Sequence, residues 1–543
     1  MLREAPIFQF NHERALLVAQ TVDRVCAQTR DPLHALNDAA YWEIRRLESS
    51  RRKRDQEELA EWRGLARRLA KLSEFERRQH LRDLVTRYAD DIAGNFDRRV
   101  FRASTRILPS LVTGLLSPGA LPHHLRHPRE LLSLDALADK VIIQGDTAGL
   151  ARLAEKGTLI FVPTHSSNMD SIVFGFALER AGLPPATYGA GKNLFTNPLL
   201  SFFMHNLGAY KVDRRLRFDL YKDCLKAYSC VLLERGYHSL FFPGGTRSRS
   251  GAVEAKLKLG LAGTGVESYV RTLLAGTERR VYFVPATINY LITLEAETLI
   301  ADYLSEAGKA RYIIEDDEST RLGRVIAFVR KAFTMRGSVV IRFGDALDPF
   351  GNRVDAEGRS LDGRGRAIDT SSFVRDVAGE VVSNPDRDAQ YTRELAQALV
   401  TAYRANTVVS STNLVAAACF EHLRSLAPGA DLFTVLRLRD QTIPRDDLAR
   451  SVLAKRDALK ALEARGEVVL SDQVRDTSGG DIVAQAMSAF FGFHTNPVIE
   501  AQEDGIALRD PKLLLYYQNR LIRHGLAFDP ETRGRAGAAG GAT

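Results

Sequence analysis

The sequence predicts an α/β domain built round a largely buried sheet, with helical regions before and after it. Three observations carry this expectation. From about residue 140 to Asp345, short β-branched or aromatic runs alternate with stretches of helical periodicity, as strands covered by helices do. Outside that span, apolar residues recur every three or four positions instead. The 543 residues are 45% hydrophobic and 26% charged, which supplies a full core and excludes disordered, collagenous and coiled-coil classes. A chain of this length is expected to form two or three units.

Residues 1–104 read as a helical N-terminal region. Leu59, Trp62, Leu65, Leu69 and Leu72 fall on one helical face, with Arg63, Arg67, Arg68 and Lys71 at other angles. Arg45, Arg46, Arg51, Arg52, Lys53 and Arg54 follow closely with Glu48 as the only acid among them; they fit a solvated helix flank or a surface drawn to an anionic membrane. Ile107 to Leu121 is apolar but broken by Pro109, Gly114, Pro118 and Gly119, too short to span a bilayer and suited either to a membrane interface or to core packing. His123, His124 and His127 lie between prolines with no acidic ligand beside them, which favours a loop over a metal site.

The α/β region is assigned to residues 105–345. Its candidate strands are Val141 to Ile143, Thr158 to Pro163, Ala186 to Tyr188, Ser239 to Phe242, Val281 to Ile288 and Ser338 to Phe343. Helices are expected near 170 to 181, 196 to 206, 217 to 235 and 258 to 275. Residues 346–372 are polar and glycine-rich and read as a linker. Residues 373–532 form a helical C-terminal region, with Leu395, Leu399 and Tyr403 at helical spacing, and 533–543 a disordered tail. No internal repeat is evident.

No run of about 18 apolar residues predicts a membrane-spanning helix, and the start, MLREAPIFQF, lacks the features of a secretory signal, so the chain is expected inside the cell. The four cysteines, Cys26, Cys224, Cys230 and Cys419, spell neither a disulfide framework nor a metal clip, and buried free thiols are expected. A formal net charge of +8 favours anionic partners: nucleic acid, anionic lipid or an acidic carrier.

The strongest chemical signal is TLIFVPTHSSNMDSIVFGFAL. Thr158 to Val162 reads as a buried strand, Pro163 ends it, and Ser171 onward is helical, so His165 falls in a strand-to-helix turn. Residues five apart on a regular helix differ by about 140° in azimuth. His165 and Asp170 therefore meet only if the histidine is in the turn and the aspartate in the first helical turn. In that geometry Asp170 would fix the imidazole tautomer while the other ring nitrogen takes a proton from a hydroxyl. The same letters also admit a capping box, Ser167 to Asp170, which accounts for Asp170 without accounting for His165.

A second signal is SLFFPGGTRSRSG. A strand feeds a turn at Pro243, Gly244 and Gly245, where glycines let backbone N–H groups approach an oxyanion, and Arg247 and Arg249 offer guanidinium forks to a phosphate. The plain alternative is a glycine turn with solvated arginines. A third cluster, GAYKVDRR, places Lys211, Arg214 and Arg215 after a glycine. Hydrolase chemistry finds no support, since no Gly-x-Ser-x-Gly elbow occurs. GLAGTGVES near residue 260 echoes a dinucleotide fingerprint with the wrong glycine spacing. The basic N-terminal run lacks the interleaved aromatics of a nucleic-acid surface.

In order and spacing, four blocks resemble those of the glycerolipid acyltransferase family: His165 to Asp170, Gly208 to Arg215, Phe242 to Ser248, and Val284-Pro285-Ala286. The Leu257-Lys258-Leu259-Gly260 stretch is similar to the Phe-Lys-x-Gly that trails the third block. The double arginine of VDRR, the R-S-R-S-G ending, the Ile-Asn-Tyr after the fourth block and the long helical flanks most resemble the large bacterial glycerol-3-phosphate acyltransferases and their dihydroxyacetone-phosphate relatives.

The resemblance implies a central mixed sheet flanked by helices. It also implies direct transfer of an acyl group from acyl-CoA or acyl carrier protein to glycerol 3-phosphate, the first step of phospholipid synthesis, with no metal or further cofactor. His165 and Asp170 would be catalytic. Arg214, Arg215, Gly244, Gly245, Thr246, Arg247, Ser248 and Lys258 would bind substrate, with the amides of Gly244 and Gly245 as oxyanion donors. The chain would work as a peripheral protein at the cytoplasmic side of an anionic membrane, with no nucleic-acid partner. Alternative acceptors are lysophosphatidate and dihydroxyacetone phosphate; a different class of reading is a non-catalytic lipid- or carrier-binding descendant. Two positions depart from the family: Gly244 replaces a usual Glu near the acceptor site, and Ser166 stands where many glycerol-phosphate enzymes have Arg.

Overall fold

The computed structural model describes residues 5–102, 141–192, 195, 198–277, 279–307 and 338–530. The Ile107 to Leu121 segment, the histidines 123, 124 and 127, and the tail 533–543 lie outside the described residues.

The chain starts with four helices, α1 (Phe10–Gln28), α2 (Pro32–Glu48), α3 (Lys53–Arg68) and α4 (Glu74–Ile92). Local chemistry sets their starts. Asp31 caps α2 by accepting the His34 N–H, with Pro32 in the first turn, and Ser73 and Glu76 form a reciprocal capping box on α4. On the expected apolar face Leu59, Trp62 and Leu69 are buried; α3 ends at Arg68, so Leu72 lies beyond it. Within the basic run, Arg46 pairs with the buried Glu43 at 2.6 Å, while Arg51, Arg52, Lys53 and Arg54 stand exposed around the α2–α3 turn.

A seven-stranded sheet follows, built from β1 (Val141–Gln144), β2 (Gly157–Pro163), β3 (Thr187–Gly191), β4 (Ala209–Val212), β5 (Ser239–Leu240), β6 (Arg280–Tyr290) and β7 (Val339–Phe343) in the order β1-β7-β6-β2-β5-β3-β4. Every neighbouring pair is parallel except β6 and β7, so the sheet is mixed. β2 is buried along its whole length, which explains its unbroken apolar run. Helices α5 (Thr147–Lys156), α6 (Asp170–Arg180), α7 (Pro198–Asn206), α8 (Asp219–Glu234), α9 (Leu259–Leu274) and α10 (Ala296–Ala307) connect or cover the strands. Strand β4 is not among the expected strands: it is four residues long, and its sequence reads more readily as a basic cluster. The N-terminal helices pack on α8, whose Tyr221, Cys224 and Tyr228 share a core with Leu17, Leu36 and Val85.

The stretch expected to be a linker without repeats is instead a string of tight turns on a seven-residue period. Asp348, Asp355, Asp362 and Asp376 each accept, at Oδ1, the backbone N–H groups two and four residues further on. A glycine in the left-handed region, at 351, 358, 365 and 379, closes each turn. Asp369 keeps the period but caps a short 3-10 helix. Because the aspartates bond within their own turns, the period is structural; it is hidden in sequence by the variable residues between. The turns dock on the sheet, where Gly358 O accepts the Tyr282 hydroxyl at 3.2 Å, and Phe350 packs with Tyr269, Phe373 and Tyr391.

The C-terminal helices α11 (Pro385–Asn406), α12 (Ser411–Leu426), α13 (Arg445–Ala464), α14 (Gly479–Phe490) and α15 (Pro511–Gln518) carry a small antiparallel sheet at Gln441–Ile443, Ile499–Gln502 and Gly505–Leu508. They share one core with the large sheet, in which Phe161, Val284 and Ile288 join Leu414, Phe420 and Leu515. Leu395, Leu399 and Tyr403 are fully buried, and the Tyr403 hydroxyl donates to Val162 O at 2.9 Å. Cys224, Cys230 and Cys419 are buried free thiols and Cys26 is half-buried. Among the described residues no helix is long and apolar enough to cross a membrane.

Candidate active site

In an open α/β sheet the loops at the carboxyl ends of parallel strands gather at one edge and leave a crevice there. Here β2, β4, β5 and β6 point the same way, so the four motif blocks open on that same edge. Pro163, which has no N–H, closes β2; Thr164 then donates its N–H to Ala286 O at 3.0 Å and accepts from the Ile288 N–H at its hydroxyl, also at 3.0 Å. That stitch fixes the turn from His165 to Met169.

Asp170 is the first residue of α6 and is fully buried. Its Oδ2 lies 2.7 Å from His165 Nδ1 and accepts the N–H groups of Ser166 at 2.6 Å and Ser167 at 2.9 Å. The Tyr290 hydroxyl donates to Oδ1 at 2.7 Å. A carboxylate so surrounded by donors is an acceptor, so Nδ1 carries the hydrogen and Nε2 keeps its lone pair. Only half of the capping-box alternative forms: Asp170 accepts the Ser167 N–H, but Met169 is the N-cap and the Ser167 hydroxyl donates to Glu295 Oε2 at 2.8 Å. The imidazole stacks on Phe242 with centroids 4.2 Å apart and planes 24° apart, leaving its side chain 17% exposed. It is therefore held on one edge, covered on one face and open to a ligand.

The backbone of His165 is tied on both sides to the loop that follows β5. Its C=O accepts the Ser248 N–H at 2.8 Å, and its N–H donates to Glu254 Oε1 at 2.6 Å. Glu295, fully buried, accepts the Asn168 N–H at 3.0 Å and lies 3.5 Å from Arg247 Nη1. This carboxylate, from the segment after β6, joins the first and third blocks. Burial pushes the Tyr290 phenol far above its usual pKa, reinforced by the adjacent Asp170 charge, which keeps it a donor.

The cations divide. Burial, and then repulsion from the neighbouring Arg247, hold the Arg214 guanidinium below its ordinary value, while Arg247 itself lies against the buried Glu295 at 3.5 Å. Arg215 is instead forked onto Asp213, at 2.9 and 2.7 Å, and is mostly exposed. Lys211 pairs with Asp91 at 3.3 Å, and Arg249 pairs with Glu306. Lys258 lies across Gly245, where a Cβ would come within 2.5 Å of its Cδ; Gly245 also has φ 71°. The Gly245 N–H donates to Phe242 O at 3.1 Å, so this amide, expected as an oxyanion donor, closes its own turn. Ser248 spends its hydroxyl on Ala252 O at 2.7 Å, and Thr246 is exposed at the rim. Tyr290 stands in the Ile-Asn-Tyr run; Glu254 and Glu295 carry no motif that would single them out, and only the fold brings them in. Among the described residues no group of His, Cys, Asp and Glu could hold a metal ion.

His165, held by the buried Asp170, stands at the carboxyl edge of the mixed sheet, with Arg214 and Arg247 on later loops of the same domain. Residues 146–289, which contain all four motif blocks, match the family model described as Acyltransferase. Among curated proteins, the glycerol-3-phosphate acyltransferase of Pseudomonas paraeruginosa is 25% identical over 265 residues, 49% of this chain and 27% of that protein. The glycerol-3-phosphate acyltransferase of Pseudomonas fluorescens is 28% identical over 200 residues, 37% of this chain and 22% of that protein. The chain thus spans about a quarter of the length of these curated relatives. The solved structure of the 1-acyl-sn-glycerophosphate (LPA) acyltransferase of Thermotoga maritima aligns over 54% of this chain and 94% of its own at 15% identity, with a TM-score of 0.24, a likeness too slight to carry an argument.

Proposed function

We propose that the chain transfers a fatty acyl group from a thioester, acyl-CoA or acyl carrier protein, to a hydroxyl of glycerol 3-phosphate. The observation that carries this reading is the His165–Asp170 contact at 2.7 Å, which occupies Nδ1 and leaves Nε2 as the base, in the domain that also holds Arg214 and Arg247. The acceptor phosphate sits between the two arginines, which orients its hydroxyl toward Nε2. Nε2 takes the hydroxyl proton as the oxygen attacks the thioester carbon, and Asp170 offsets the imidazolium charge that forms. The tetrahedral intermediate then collapses: the C–S bond breaks, and the proton on Nε2 passes to the departing thiolate. No acyl-enzyme forms.

The product is amphiphilic, and the exposed cations Arg51, Arg52, Lys53 and Arg54 suit an anionic bilayer, so the protein works as a peripheral membrane enzyme. The test supplies radiolabelled acyl-CoA with glycerol 3-phosphate, dihydroxyacetone phosphate or lysophosphatidate. Incorporation into a glycerol 3-phosphate product, lost by about 10² to 10⁴ in His165→Ala, is expected from the usual worth of a general base. Binding of acyl-CoA without turnover on any acceptor refutes the reading.

A further inference from the structure

We propose that Glu254 is a positioning residue for His165, its carboxyl lodged in the room that Gly244 leaves and anchoring the backbone of the reactive turn. The proposal rests on the acyl-transfer reading of the site and assigns one more residue to it. Four observations support it. Glu254 Oε1 accepts the His165 N–H at 2.6 Å, the shortest bond the third-block loop makes to that turn, while Ser248 holds the His165 C=O from the other side at 2.8 Å. With both backbone groups of one residue fixed, the ring has only its χ angles left, and Asp170 and the Phe242 stack hold those.

Glu254 Oε2 is buried without a hydrogen-bond partner. An acid in that state is costly and persists where the surrounding structure compensates. Burial pushes its pKa up, against the pull of the His165 N–H and of the Arg520 charge. Position 244 explains how the carboxyl fits. A Cβ on Gly244 would lie 3.3 Å from Glu254 Cγ and 3.3 Å from Thr246 O, so a side chain at 244 would press on the present seat of Glu254 and push it back by a few tenths of an ångström. The acid missing from position 244 of the third block is matched by one that enters from further along the same loop.

The test compares Glu254→Ala, Glu254→Gln and Glu254→Asp in the full chain. Glutamine keeps an oxygen for the His165 N–H, aspartate withdraws it by one methylene, and alanine removes it. Displacing a catalytic group by about 1 Å can cost about 10² in rate. Glu254→Ala and Glu254→Asp should therefore lose kcat by about that factor with KM for both substrates little changed, and Glu254→Gln should recover most of it. A second readout needs no turnover: the rate at which diethyl pyrocarbonate modifies His165, followed by mass spectrometry, should rise in the alanine and aspartate variants and match wild type in the glutamine variant. Equal modification rates in all four proteins, or a glutamine variant as impaired as alanine, would overturn the proposal. If wild type transfers no acyl group, the functional reading fails while the modification rates still decide the role of Glu254.

Discussion

Replacing Asp170 by asparagine separates the electrostatic contribution of the carboxylate from its role as a scaffold. Asparagine fits the same volume. With its oxygen in the place of Oδ2, it still accepts from Ser166, Ser167 and His165, and its amide faces the Tyr290 hydroxyl, which can rotate to accept. The fold should survive, because losing charge-assisted hydrogen bonds is offset by no longer burying a charge. The rate should not. A charge 2.7 Å from the imidazolium nitrogen is worth at most about 6 kcal/mol at an effective dielectric of about 20, which corresponds to about 10⁴ in kcat. The assay is thiol release from palmitoyl-CoA in the presence of saturating glycerol 3-phosphate, with circular dichroism as the control for folding. A kcat within about ten-fold of wild type, in a folded variant, would refute the claim that Asp170 acts through its charge.

Other perturbations reach other parts of the molecule. Arg214→Ala should raise KM for glycerol 3-phosphate by about 10- to 10²-fold and leave KM for acyl-CoA unchanged, since a charge-assisted hydrogen bond is worth about 1.5–3 kcal/mol; equal effects on both substrates in steady-state kinetics would count against the phosphate assignment. Burial lowers the His238 pKa to about 3, and its Nδ1 accepts the Leu159 N–H at 3.0 Å. The unfolded chain takes up a proton near its ordinary value while the folded one does not, so stability is full above about pH 6.5 and falls as pH drops toward 3. His238→Asn, which keeps an acceptor but does not titrate, should flatten that acid limb in denaturant titrations at pH 4 and pH 7; an unchanged pH dependence would show that another group controls it.

Legibility in sequence followed distance along the chain. His165 and Asp170 are five residues apart in one strand-to-helix turn, and local rules sufficed to place them. The expected helix near 170 to 181 runs Asp170–Arg180, and that near 258 to 275 runs Leu259–Leu274, because their apolar periodicity and flanking turns are local. Tyr290 reaches Asp170 only because β2 and β6 pair with Pro163 opposite Ala286, a register no single segment encodes. Glu254 and Glu295 were invisible for the same reason: an acid in a loop looks solvated until another segment buries it. Arg215 illustrates the opposite error. Asp213 stands two residues away and takes its fork, a short-range pairing that the basic run concealed.

The short 3-10 turn Asn519–His524 that follows α15 braces the reactive edge from behind. Asn519 Nδ2 donates to Ser250 O at 2.9 Å, and Arg520 Nη2 donates to Asn289 Oδ1 at 2.6 Å and to Ile288 O at 3.2 Å. Gly251, with φ 80°, approaches Tyr516 so closely that a Cβ would sit 2.3 Å from its carbonyl oxygen. During synthesis, then, the ribosome releases every motif residue long before the piece that braces them. A half-made polypeptide carries the histidine, the aspartate and the arginines without the wedge that braces the third and fourth loops.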